Sequence, residues 1–143
     1  ITRAFYDRGW SGVTVDPVSG WARRHAEQRP RDTFVEAAVT ETDGGTVTFY
    51  EVPGTGLSTL DPAVVERHRT AGHEVREVTV PARRLDAILA EAGLDGHDIH
   101  FMVVDTEGSE GRVLAGIDLA RWRPWVLVVE STVPLGTAQT HRE

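Results

Sequence analysis

Residues 99–110, IHFMVVDTEGSE, constrain the fold of this chain more than any other stretch. An apolar run of strand length, rich in β-branched and aromatic residues and without polar alternation, predicts a strand buried on both faces, as in parallel sheets. It ends in acid. Asp105, Glu107 and Glu110 surround Gly108 in the turn that leaves the strand. The following EGRVLAGIDLARW has helical spacing, with Val113, Leu114, Ile117 and Leu119 as its apolar stripe. Ligands of open α/β sheets sit at the carboxyl ends of strands, so this turn is the first candidate for chemistry.

Two further strands end the same way. Residues 12–16, GVTVD, are short and β-branched and stop at Asp16-Pro17, because proline lacks the ladder donor. Residues 125–130, WVLVVE, form a second fully apolar run, ending at Glu130. Helical segments alternate with these strands. One covers 20–28 behind a Ser19 cap, with Trp21, Ala22 and His25 on one side; another covers 63–71, started by Asp61-Pro62 and stopped by Gly72. A third covers 85–92, with Leu85, Ile88, Leu89 and Ala92 on one face and Gly93 behind. Right-handed crossovers between parallel strands would bring Asp16, Asp105 and Glu130 to one sheet edge.

Residues 33–40 (TFVEAAVT) and 46–52 (TVTFYEV) flank Asp43-Gly44-Gly45, a hairpin signal that adds an antiparallel pair. Residues 74–80 alternate like an exposed strand, residues 1–12 read as the end of a helix, and the tail from 131 to 143 has loop composition. One domain over residues 1–143 is expected. Within it, residues 53–80 read as a lid or substrate-loop insertion that opens with the aperiodic PGTGLS.

Several chemistries are excluded within these residues. The chain has 143 residues with no cysteine, and all 15 of its basic side chains are arginine. A disulfide framework, a thiolate metal site, a cysteine nucleophile, a Schiff-base lysine and a Walker lysine are therefore all out. A net charge of -7 disfavours nucleic acid and anionic membranes as partners. No apolar run approaches the roughly 20 residues that span a bilayer, and the opening ITRAFYDRGW lacks signal-peptide regions, so a cytoplasmic location is expected. Opening without Met, in the end of a helix, the sequence reads as part of a longer chain. GTGLST fits neither the Walker nor the dinucleotide pattern, and no GxGxxG supports a nicotinamide enzyme.

The acids carry the remaining possibilities. A carboxylate's paired acceptors match the paired donors of a vicinal diol, which suits Asp16 to a ribose, while an Asp-Pro turn is the plain alternative. Two carboxylates near a strand end can hold magnesium, or one can act as general base if burial raises its pKa; Asp105 and Glu107 are placed for either. Glu107 and Glu110 can equally serve the first turn of the next helix and pair with Arg112 or Arg121, the reading preferred for Glu110. Glu130 either closes an ion pair with an arginine or faces the ligand edge. His68, His73, His97 and His100 show no zinc-site helical spacing and read as solvated or structural; Trp21, Trp122 and Trp125 read as core or edge packing.

In order and spacing, RGWSGVTVDPV, AAVTETDGGTVTFYEV, GLSTLD and TVPARRLDAILAEAGLDGHDIHFMVVDTEGSEGRVLAGIDLARWRPWVLVVEST resemble the FkbM-type S-adenosylmethionine-dependent methyltransferases, over nearly the whole chain. Its most specific parts are RRLDAIL, VVDTEGSEGRVL and RPWVLVVE. The resemblance implies a Rossmann-like class I methyltransferase, α/β with a mostly parallel three-layer sheet, here incomplete at both ends. It also implies S-adenosylmethionine as cofactor, with magnesium an open addition, and a saccharide or other small-molecule hydroxyl as acceptor, with a homo-oligomer compatible; the alternative is a catalytically inactive binding or scaffold domain that kept the fold. By position, Asp16 with Pro17 resembles the ribose-holding turn, and Ala38 and Val39 the adenine-side wall. Asp105 with Glu107 resembles the acidic turn beside methyl transfer, where Glu130 and His68 are further candidates for the proton acceptor. Two positions depart from the family pattern: Asp16 stands where members usually have Glu, and Val103-Val104 where they have Lys or another residue, then Ile. The family's first strand and glycine-rich turn should precede Ile1, and strands completing its sheet should follow Glu143.

Overall fold

The computed structural model describes residues 2–131, so the tail reading beyond Ser131 lies outside the described residues. After a single helical turn, α1 (Arg3–Tyr6), the chain alternates strands and helices: β1 (Val13–Val15), α2 (Gly20–Gln28), β2 (Thr33–Val35), β3 (Ala38–Val39), β4 (Thr46–Glu51), α3 (Pro62–Thr70) and β5 (Arg76–Arg83). Then follow α4 (Leu85–Glu91), β6 (Phe101–Val104), α5 (Glu110–Ala115), α6 (Leu119–Trp122) and β7 (Val126–Val129). The class is α/β. Instead of one three-layer sheet, the described strands form three small ones: β1 parallel to β2, β6 parallel to β7, and a mixed sheet ordered β3-β5-β4. No described helix is long and apolar enough to cross a membrane.

Several predicted elements divide or change partners. The strand expected over 33–40 bends at Ala37, and its halves join different sheets. The hairpin expected across Asp43-Gly44-Gly45 does not form, because β5 runs between β3 and β4. It pairs parallel with one through Ala38–Ala82 and antiparallel with the other from Thr46–Pro81 to Glu51–Arg76. The glycines instead turn around β5: Gly44 donates its N–H to the Ala82 carbonyl, Gly45 accepts from Ala82, and Asp43 Oδ1 takes the Arg83 Nε (2.9 Å) and the Arg84 N–H. Both glycines have positive φ, 88° and 75°, the backbone such a turn requires. The stretch read as an exposed strand is thus the middle of its sheet, and residues 76–80 of the expected insertion belong to it.

The long helix expected after Glu110 also breaks, at Gly116. A Cβ at Gly116 would fall on the backbone oxygen of Thr40, well inside contact distance, so only glycine lets this segment approach β3 so closely. Gly116→Ala is expected to destabilise the fold by about 1–3 kcal/mol through overpacking against rigid backbone, read as a lower denaturation midpoint with unchanged m-value. Leu119, placed in the apolar stripe, is 40% exposed and opens a separate helix, α6, after the break. Ser19 precedes α2 but its side chain accepts no cap bond, whereas Asp61 Oδ1 caps α3 by accepting from the Ala63 N–H.

Two apolar clusters hold these pieces. Leu85, Leu89, Val104, Val113, Ile117 and Trp122 join α4, α5 and α6 to β6, with Met102, Leu127 and Val129 packed on them. Ala38, Phe49 and Val80 centre the mixed sheet. Successive residues of β3 point opposite ways, so Ala38 enters the second cluster while Val39 packs on the first. The apolar run of β7 is not buried on both faces: Val126 and Val128 are 54% and 44% exposed, since among the described strands β7 pairs only with β6.

Candidate active site

The ends of β1, β3 and β6 meet at one cavity of about 350 Å³. Asp16 and Pro17 enter it from β1, Ala38 and Val39 from β3, and Asp105, Thr106, Glu107 and Ser109 from the turn after β6. Trp21 and Phe49 supply aromatic wall, and Thr55, Gly56, Ser58 and Leu60 close one side from the loop after β4. Strands from three different sheets thus deliver their carboxyl ends to one place. Among the described residues no cationic side chain lines the cavity.

Asp16 forms the Asp-Pro turn and also lines the cavity. Its Oδ1 accepts the Val18 N–H at 2.8 Å. Burial pushes its carboxyl above the ordinary range, and the Val18 N–H offsets only part of this.

The turn after β6 is held by Glu110. Its Oε1 accepts from Thr106 N (2.8 Å), Thr106 Oγ1 (3.0 Å) and Gly108 N (3.2 Å), which cinches the loop on itself. The expected pairing of Glu110 with Arg112 or Arg121 does not occur, because Arg112 turns to Glu41 and Arg121 to Asp95. The cinched turn leaves Glu107 at φ 51°, a left-handed conformation uncommon outside glycine, and its carbonyl takes the Thr59 Oγ1 hydroxyl at 2.8 Å. Thr59 is fully buried and also pairs with Tyr50 across β4, so the cavity loop and the acidic turn are tied directly together.

Asp105, Glu107 and Glu130 each bring a carboxylate oxygen to within 4.8 Å of the others. Glu130 reaches this group from the end of β7, although it is not part of the cavity wall. Such a trio is spaced for a hard cation or for a shared proton. Burial first, then the charges of Glu130, Asp105 and Glu110, push Glu107 up to about 7. A carboxyl with that value changes charge near neutral pH, as a general base requires. His68, the remaining candidate, lies on α3 and is fully buried away from the cavity wall.

Sequence reasoning holds Thr55, Ser58 and Thr59 only within the 53–80 lid or substrate-loop reading and reads Trp21 as core or edge packing; the structure puts Trp21, Thr55 and Ser58 on the cavity wall. Trp21 is 44% exposed beside Asp16, with Arg24 stacked 5.3 Å from its ring centroid, so it is wall and not core. Trp125, at 67% exposure, is edge, and Trp122, at 5%, is core. The model of the methyltransferase FkbM domain matches residues 1–142. No curated protein and no solved structure matches the chain.

Proposed function

Because the chain belongs to the methyltransferase FkbM domain family, we propose that it serves an S-adenosylmethionine-dependent O-methyltransferase that acts on a hydroxyl of a sugar or other small polyhydroxylated molecule. The observation that carries the choice of a hydroxyl is Glu107, a carboxyl near 7 in a cavity that no cationic side chain among the described residues lines. The three small sheets are read as parts of one Rossmann-like sheet, since β1, β3 and β6 send their ends to a single cavity.

The residues suit the nucleoside. The cavity falls in the size range of small-molecule sites, Asp16 offers paired acceptors to a diol, and Ala38, Val39, Trp21 and Phe49 give apolar walls for a flat base. The bound sulfonium supplies an already activated methyl group. This chain's own residues must align the acceptor oxygen with that carbon, exclude water and take a proton. Glu107 is assigned the proton, with Asp105 and Glu130 keeping its carboxylate basic. Thr55, Gly56, Ser58 and Leu60 close one side of the cavity, which supports a lid role for the loop after β4, whereas residues 76–80 of the 53–80 segment belong to β5.

Calorimetry of the full-length protein with S-adenosylhomocysteine tests the cofactor. Asp16→Asn keeps the oxygen that accepts from Val18 but removes the charge, so it is expected to weaken binding by about 10- to 100-fold, the range of a charged hydrogen bond. Unchanged affinity in the variant would remove the ribose role from Asp16. A chelator is expected to leave turnover intact; loss of turnover would shift the acidic trio from proton handling to cation binding.

A further inference from the structure

The mechanism uses no histidine, yet one histidine is among the most enclosed side chains of the molecule. His68 is 0% exposed and sits on α3 beside Val64 and Val65, each 1% exposed. Neither ring nitrogen has a hydrogen-bond partner of good geometry. The ring meets the loop that lines the cavity: on that side it faces the Leu57 backbone, which weakly favours its charged form. Residues 53–60 contain no titratable side chain. On its own side the charged and titratable groups are Arg67 and His73, the latter edge-on with ring centroids 6.0 Å apart, and both oppose a positive charge. No carboxylate acts on the ring among these neighbours.

We propose that His68 is a positioning residue that seats residues 53–60 against the cavity only while its ring is uncharged. The chemistry is that of a buried group without compensation. A neutral imidazole here is a flat, mostly apolar filler, whereas an imidazolium would be a cation in a dry contact with only cations beside it. Protonation therefore favours the state in which the ring reaches water, and that requires α3 and the loop to part. The consequence travels a short way. Ser58 Oγ accepts the Val52 N–H, Thr59 pairs with Tyr50, and Thr59 Oγ1 donates to the carbonyl of Glu107. Lifting the loop removes Thr55, Gly56, Ser58 and Leu60 from the wall and releases the backbone of the proposed base.

The sign follows from where the proton binds better. Burial, followed by His73 and Arg67, lowers the His68 pKa in the folded chain below its ordinary 6.5. The unfolded or opened chain therefore binds more protons just below that value. The seat is fully stable above pH 6.5 and weakens as pH falls below it.

The test is amide hydrogen exchange on the full-length protein at pH 8 and pH 5.5, with rates expressed as protection factors. In the wild type, protection of residues 53–60 is expected to fall by up to about tenfold at pH 5.5, the most that one proton can contribute a pH unit below 6.5, while β6 keeps its protection. His68→Leu, of similar volume and never charged, is expected to abolish the pH dependence in that loop. Unchanged wild-type protection between the two pH values overturns the proposal, and so does an equal loss in His68→Leu. Should the leucine variant not fold, a ring-resonance titration of wild-type His68 decides: a midpoint below 6.5 that tracks the loop signals supports the seat, and one at or above 6.5 refutes it. The assignment of a role at the cavity rests on the methyltransferase reading, but the exchange does not. Absent S-adenosylhomocysteine binding with a pH-dependent loop would sink the former and leave the seat standing.

Discussion

Glu107→Gln is expected to lower methyl transfer by about 10²- to 10⁴-fold, the usual contribution of a positioned general base, while leaving S-adenosylhomocysteine affinity within a few-fold. The amide keeps the shape of the side chain and loses only the basic oxygen. In the wild type, kcat/KM is expected to rise with pH through about 7, where burial and the charges of Glu130, Asp105 and Glu110 hold this carboxyl, and to level off above it. The variant should lack that inflection. A profile that keeps its rise through 7 after the substitution would take the base role from Glu107.

The same carboxyl carries a stability signature of opposite sense to ordinary acids. Its folded-state pKa lies above its ordinary 4.5, so the folded chain binds the proton better across the interval from 4.5 to about 7. Stability is therefore lost as pH rises through that interval. Glu107→Gln is expected to be more stable than the wild type at pH 8, by on the order of 1 kcal/mol after discounting for solvent screening, and equal to it near pH 4. A protein that loses activity yet gains stability at alkaline pH is a pattern that simple misfolding does not produce.

Asp86→Ala is expected to be the most destabilising single change in the scaffold, by about 2–4 kcal/mol, measured by denaturant unfolding. Its Oδ1 accepts both the Asp118 N–H and the Trp122 Nε1–H at 2.8 Å, and its Oδ2 meets Arg84 Nη2 at 2.7 Å. Its own N–H donates to the Gly116 carbonyl. One carboxylate thus fixes the start of α4, the cap region of α6 and the indole that is only 5% exposed in the core. Truncation leaves that indole N–H without its partner in a dry site. Burial alone would raise the Asp86 carboxyl, but the bonds from Arg84, Asp118 and Trp122 outweigh it and hold the value below the ordinary 3.8. Its stabilising contribution is accordingly present above pH 3.8 and disappears as the solution is acidified through the lowered value. Asp118→Ala, which removes only the local cap to Ala120 and Arg121, should cost about 1 kcal/mol and provides the contrast.

RRLDAIL was among the segments that most resembled the family, and the geometry gives its aspartate a structural reason. Asp86 is a hub between helices and lines no part of the cavity. Asp16 and Glu107, by contrast, line the cavity at strand ends. Resemblance in sequence marks both kinds of position alike, and only contacts separate them.

Local signals were enough to place α2, α3, α4 and β6: one-sided spacing for α2 and α4, the Asp61-Pro62 start and Gly72 stop for α3, and an apolar run for β6. Strand ends with acids after them were legible for the same reason: proline at position 17 and the glycine turn at 108 are local stops. Which strands pair was not legible. β5 displaced the hairpin because hydrogen bonds to both neighbours outweigh the preference of Asp43-Gly44-Gly45 for a tight turn, and that comparison involves residues some forty positions apart. The break at Gly116 likewise depends on the backbone of Thr40, and the pKa of Glu107 on carboxylates that reach it from separate elements. Sequence alone determined the residue types and local elements. Tertiary structure decided strand partners, the wall supplied by Trp21 and the 53–60 loop, and the proton affinity of the acids, because each is a free energy set by groups brought close only when the chain has folded.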